Sequence, residues 1–130
     1  MPGQAINIPT VLVVEDDELF RRSLATYVAS LGYATISCGT GEEALARCRE
    51  SQISACVADY HLPSISGVEL ADRLAREKLG VPVVLITGFL TDDLRREAGD
   101  AGVYAVLRKP TDLSGLARSL TELLSQGQRV

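Results

Sequence analysis

Apolar residues in this chain fall into short unbroken runs that alternate with helical stripes. Thr10-Val11-Leu12-Val13-Val14 is the first run, and continuous β-branched runs of this length mark strands buried on both faces of a parallel sheet. From Asp17 the period changes. Phe20, Leu24, Val28 and Leu31 recur at three- and four-residue spacing until Gly32, a C-terminal stop, so a helix follows the strand. The alternation then repeats. It predicts a second strand over residues 33–38 and a second helix over 42–50, entered through the capping box Thr40-Gly41-Glu42-Glu43. Ala55-Cys56-Val57-Ala58 reads as a third strand. Ser66-Gly67-Val68-Glu69 is another capping box, opening a helix with Leu70 and Leu74 on one face. A fourth strand is expected over 83–86, with Pro82 at its entrance, where a missing N–H is tolerated. A weaker helix over about 92–101 carries Gly99 in its last turn, which should loosen that end. Residues 103–107 read as a fifth strand, and Leu113, Leu116, Leu120 and Leu124 stripe a final helix.

Five strand-then-helix units imply an α/β fold in which a parallel sheet carries helices on both faces. Five are too few for a closed barrel. The expected architecture is therefore an open (βα)5 doubly wound sheet of the flavodoxin-like kind, strand order 2-1-3-4-5, whose active crevice lies at the carboxyl ends of the strands. The chain divides into a short extension (1–9), one domain (10–125) and a tail (126–130).

Composition narrows the classes further. The 130 residues hold 13 Lys+Arg against 17 Asp+Glu, a net charge of −4 with no basic block, which argues against direct nucleic-acid binding. The longest apolar run, residues 81–86, contains Pro82 and falls far short of the about 20 residues that span a bilayer. No basic residue precedes Arg21, whereas a secretory leader begins with a positive patch. A cytoplasmic location is expected. Cys38, Cys48 and Cys56 form no C-x-x-C pair and are odd in number, as befits reduced thiols used as small core hydrophobes.

The chemistry gathers at one rim. Glu15, Asp16 and Asp17 follow the first strand, Asp59 ends the third, Thr87 follows the fourth, and the fifth runs into Lys109-Pro110. In the order 2-1-3-4-5 the first and third strands are neighbours, so their carboxylates converge and require a cation. Carboxylate oxygens without a His/Cys cluster are the ligands of Mg²⁺. With a Lys ammonium and a Thr hydroxyl beside it, Asp59 stands among parts suited to phosphoryl transfer.

Val13-Val14-Glu15-Asp16-Asp17, Val57-Ala58-Asp59-Tyr60-His61-Leu62-Pro63, Ser66-Gly67-Val68-Glu69-Leu70, Leu85-Ile86-Thr87-Gly88 and Lys109-Pro110 resemble, in order, spacing and strand context, the successive signatures of a response-regulator receiver domain of two-component signalling. The resemblance spans about Thr10 to Leu124. It implies that Asp59 accepts a phosphoryl group from a phosphohistidine of a sensor histidine kinase or phosphotransfer protein. It also implies that Asp16 and Asp59 bind Mg²⁺ directly with the backbone carbonyl of His61, and that Glu15 acts through water. Thr87 and Lys109 would contact the phosphoryl oxygens, and Lys109-Pro110 would be a cis peptide. A receiver dimer through the fourth helix, fifth strand and fifth helix belongs to the same expectation. One departure stands out: the family commonly places an aromatic three residues before the lysine, and this chain has Val106, with Tyr104 two residues earlier and expected on the same side of the sheet.

Blander readings hold for several of these residues. Asp17 and Glu18 are helix N-terminal acids favoured by the dipole, and His61, the sole histidine, is expected to be exposed. Gly39-Thr40-Gly41-Glu42-Glu43-Ala44 fits the dinucleotide fingerprint G-x-G-x-x-A. However, it follows the second strand, and Glu42 and Glu43 would oppose a pyrophosphate. The rival functions are a Mg²⁺-dependent phosphohydrolase of haloacid-dehalogenase type and a phosphorylation-independent interaction module. The first uses a second Asp two residues past its nucleophile, where this chain has His61. The second leaves the filled acidic, hydroxyl and basic positions unexplained. A switching module rather than an enzyme is expected.

Overall fold

The computed structural model describes residues 8–109 and 112–126. Five strands, β1 (Thr10–Val14), β2 (Ala34–Cys38), β3 (Ala55–Asp59), β4 (Val83–Thr87) and β5 (Ala105–Arg108), alternate with α1 (Glu18–Ser30), α2 (Gly41–Glu50), α3 (Gly67–Arg76), α4 (Asp92–Asp100) and α5 (Leu113–Gln126). All pairings are parallel, and the strand order is β2-β1-β3-β4-β5. The doubly wound (βα)5 expectation is met.

Strand periodicity divides the core into two layers. Val11, Val13, Ala55, Val57, Val84 and Ile86 pack with Leu24 and Val28 of α1 and Leu116 and Leu120 of α5. Their sequence neighbours Leu12, Val14, Cys56 and Ala58 face the other way, onto Leu45 and Cys48 of α2 and Leu70 and Leu74 of α3, because successive side chains of a strand point to opposite faces. A smaller cluster of Val68, Leu85, Leu94 and Ala98, with Val106 against it, seats α4. Central β1, β3 and β4 are therefore buried on both sides, whereas β2 and β5 at the edges are not. The three cysteines share the α2/α3 layer as free thiols. Burial pushes those of Cys38 and Cys48 up to about 11, which keeps them protonated and inert.

Helix ends follow side-chain chemistry. Asp17, Thr40, Ser66 and Thr91 are N-caps, each accepting from a backbone N–H three residues on. The capping box at Thr40 takes an altered form, with Glu43 accepting from the Gly39 N–H and the Thr40 hydroxyl rather than from the Thr40 N–H. At Ser66 the Glu69 carboxylate turns instead to Arg73. The fifth strand begins at Ala105 rather than 103. Gly102 adopts φ +82 and closes α4, with the Gly102 N–H on Gly99 O and the Val103 N–H on Ala98 O, so Val103 belongs to the helix stop. Those two bonds close the end that Gly99 was expected to loosen. Tyr104, expected on the same side as Val106, lies outside the strand, and its hydroxyl meets Glu122 of α5 at 3.3 Å. Among the described residues no helix is long and apolar enough to cross a membrane.

Candidate functional site

The parallel register delivers the polar residues to one rim. Val14 pairs with Ala58, so Glu15 and Asp59 leave adjacent strands side by side. Glu15 is 1% exposed and Asp59 6%. Main-chain bonds hold the strand ends in place: Glu15 N–H to Cys38 O at 3.1 Å, Tyr60 N–H to Ile86 O at 2.8 Å, and Lys109 N–H to Thr87 O at 2.7 Å. One Glu15 oxygen accepts from the Asp17 N–H at 2.9 Å, and Arg21 donates to the Glu15 carbonyl at 2.8 Å.

Lys109 bridges the two buried acids. Its Nζ lies 3.1 Å from Glu15 Oε1 and 3.2 Å from Asp59 Oδ2, and 4.5 Å from the centroid of the Phe20 ring. Burial works against the ammonium, but hydrogen bonds and charge from Glu15 and Asp59 outweigh it and hold the Lys109 pKa above its ordinary value. Glu15 shifts upward too, first because it is buried and further because Asp59 is near, against the pull of the Asp17 N–H and Lys109. Glu15, Asp16 and Asp59 each offer an oxygen within 4.8 Å of the others.

Thr87 is fully buried at the end of β4. Its hydroxyl accepts from the Phe89 N–H at 3.1 Å and donates to the Phe89 carbonyl at 3.2 Å, so it is committed to the following loop. The His61 side chain is exposed, its ring edge-on to Tyr60 at 4.8 Å. Asp17 caps α1, as its bland reading required. The cis peptide expected at Lys109-Pro110 falls on residues outside the described ones.

The structure thus brings together Glu15, Asp16, Asp59 and Lys109, with Thr87 on the neighbouring strand end. Three supporting residues escaped the sequence reading. Arg21 and Phe20 were an ordinary polar and an ordinary core position of α1, and Gly67 was only the start of a helix. For Arg21 and Phe20 the sequence holds one signal: they sit one turn into the helix that the acidic triplet opens.

A doubly wound parallel sheet thus carries, at the carboxyl ends of its strands, an acid-rich rim with one lysine across two of its carboxylates. The response regulator receiver domain family matches residues 11–121, and the chain belongs to that family. The transcriptional regulatory protein PdtaR of Mycobacterium tuberculosis is 30% identical over 121 residues, 92% of this chain and 58% of that protein. The sensor histidine kinase RcsC of Escherichia coli is 29% identical over 111 residues, 85% of this chain but 12% of that one. The chain therefore spans little more than half of one such relative and a small part of the other. Among solved structures, the signal receiver domain of an HD domain-containing protein from Pseudomonas fluorescens superposes with a TM-score of 0.87 at 24% identity, covering 94% of this chain and 98% of that one. At that identity the likeness speaks to the fold alone.

Proposed function

We propose that residues 10–125 form a receiver unit that accepts a phosphoryl group on Asp59 from a phosphohistidine of a sensor histidine kinase or phosphotransfer protein, and that the modification changes partner binding. The observation that carries this reading is Lys109 Nζ set 3.2 Å from an Asp59 carboxylate at a strand end, within an otherwise acidic cluster. Three carboxylates facing one ammonium leave the rim net negative, and hard oxygen donors of that charge fit Mg²⁺. Asp16 and Asp59 would hold it with the His61 carbonyl, and Glu15 through water. When bound, the ion supplies charge neutralisation for the cluster and for the phosphoryl oxygens.

The protein's own groups do the rest. An Asp59 oxygen attacks phosphorus, the new O–P bond forms as the donor's N–P bond breaks, and the imidazole leaves with the electron pair. Lys109 follows the charge onto the phosphoryl oxygens. Thr87 reaches them only by giving up its two bonds to Phe89, which releases the loop leading into α4.

Incubation with a small phosphodonor and Mg²⁺, read by intact mass, is expected to add one phosphoryl group, and Asp59→Ala to add none. Labelling of Asp59→Ala equal to the parent would remove Asp59 from this role. Release of the loop also predicts where the signal travels. Comparison of free and beryllofluoride-bound protein by NMR should show the largest changes at residues 87–91 and in α4, with the Tyr104 ring environment unchanged because its hydroxyl rests on α5. A large Tyr104 shift beside an unmoved α4 would overturn that route.

A further inference from the structure

We infer that Phe20 is a positioning residue for the Lys109 ammonium, its ring forming a third wall beside Glu15 and Asp59. The inference rests on the phosphoryl-acceptor reading of Asp59 and assigns a partner to the lysine within it. A lysine is a compact charge on a flexible four-carbon stem, and carboxylates alone hold it only while they stay charged and accessible. Asp59 does not: one of its oxygens becomes part of an acyl phosphate, and its charge is shared with any cation bound beside it. The ring face attracts a cation through its quadrupole, and that attraction does not depend on what Asp59 carries.

The placement is built rather than incidental. Phe20 stands in the first turn of α1, its N–H bonded to the Asp17 cap at 3.1 Å, and its side chain packs against the layer formed by Val11, Val13, Leu24 and Leu116. From there the ring centroid lies 4.5 Å from the Lys109 ammonium, the tip of a side chain that remains 28% exposed. The acidic triplet that supplies Glu15 therefore also starts the helix that carries the ring. Phe20 further lines an open groove of about 250 Å³ with Ser23, Leu24, Tyr27 and Leu113, so its effect on Lys109 must be measured with a donor too small to need that groove.

The test compares the parent with Phe20→Leu, which keeps an apolar side chain without a π face, and Phe20→Tyr, which keeps the face. With acetyl phosphate and saturating Mg²⁺, Phe20→Leu should slow labelling about fivefold, equivalent to about 1 kcal/mol of barrier, while Phe20→Tyr stays within twofold of the parent. The Lys109 ε-methylene resonance, displaced upfield by the ring current in the parent and in Phe20→Tyr, should move back toward the free-lysine value in Phe20→Leu. A merely structural role would change thermal stability without this pattern. Unchanged labelling in Phe20→Leu, an unchanged Lys109 resonance, or equal slowing in the tyrosine variant overturns the inference. If the parent takes up no phosphoryl group, the acceptor reading itself fails, and the Lys109 resonance still decides whether the ring holds the ammonium.

Discussion

In excess chelator, labelling of Asp59 should slow by two to three orders of magnitude. Glu15, Asp16 and Asp59 oxygens lie within 4.8 Å of one another, and two unit charges at that distance repel by about 3–4 kcal/mol at an effective dielectric of about 20. Lys109 offsets one such term. An incoming phosphoryl group meets at least one more, and about 3–4 kcal/mol of barrier corresponds to that slowing. The same charges set a pH dependence of stability. Glu15 has its carboxyl pKa raised by burial, so the folded state binds its proton more tightly than the unfolded chain. Stability from this group is present below about pH 4.5 and is lost as pH rises through the higher folded value. A divalent cation offsets the cost of the charged form, so the Mg²⁺-induced rise in Tm should grow between acid and neutral pH. Equal rises at pH 4 and pH 7.5 in calorimetry, or full labelling in chelator, would contradict this account.

What was legible in the sequence depended on period and order. Unbroken runs such as residues 11–14 and 55–58 can be buried on both faces only inside a parallel sheet, and parallel strands gather their carboxyl ends at one rim whatever their side chains do. Hence Glu15, Asp16, Asp59, Thr87 and Lys109 could be grouped from position alone, and the order β2-β1-β3 placed Glu15 beside Asp59. Features that depend on rotamers were not legible. The sequence does not say that the Thr87 hydroxyl spends both its bonds on Phe89, nor that Glu69 prefers Arg73 to its own cap. The misplaced start of β5 has a local cause: in Ala101-Gly102-Val103 the αL glycine stops a helix, and the valine after it closes the stop instead of opening a strand. Phe20 was read as core from its spacing, and half of it is. Only the three-dimensional meeting of α1 with the end of β5 shows its other face under Lys109.

Gly67→Ala should damage the site more than any surface change, although Gly67 is neither acidic nor at the rim. It opens α3 directly after the Ser66 cap, and its N–H bonds to Tyr60 O at 2.9 Å, which draws the helix start against the end of β3. A Cβ there would stand 2.5 Å from the Asp59 carbonyl oxygen and 2.6 Å from Leu85 Cδ1. The first is main chain and the second belongs to a side chain with no exposure, so neither neighbour gives way cheaply. Overpacking of this kind costs about 1–3 kcal/mol, or about 3–15 °C in Tm for a domain of this size. The larger effect falls on chemistry, since relief of the clash shifts Asp59 itself, and a displacement of about 1 Å can slow a positioned reaction about a hundredfold. Gly99 provides the control. A Cβ at Gly99, in the last turn of α4, meets nothing within 4 Å, so Gly99→Ala should add about 0.5–1 kcal/mol of helix stability. The double variant should therefore regain part of the lost Tm while labelling of Asp59 by a small phosphodonor stays near the Gly67→Ala level. Recovery of labelling in step with Tm would mean that Gly67 serves general stability and not the position of Asp59.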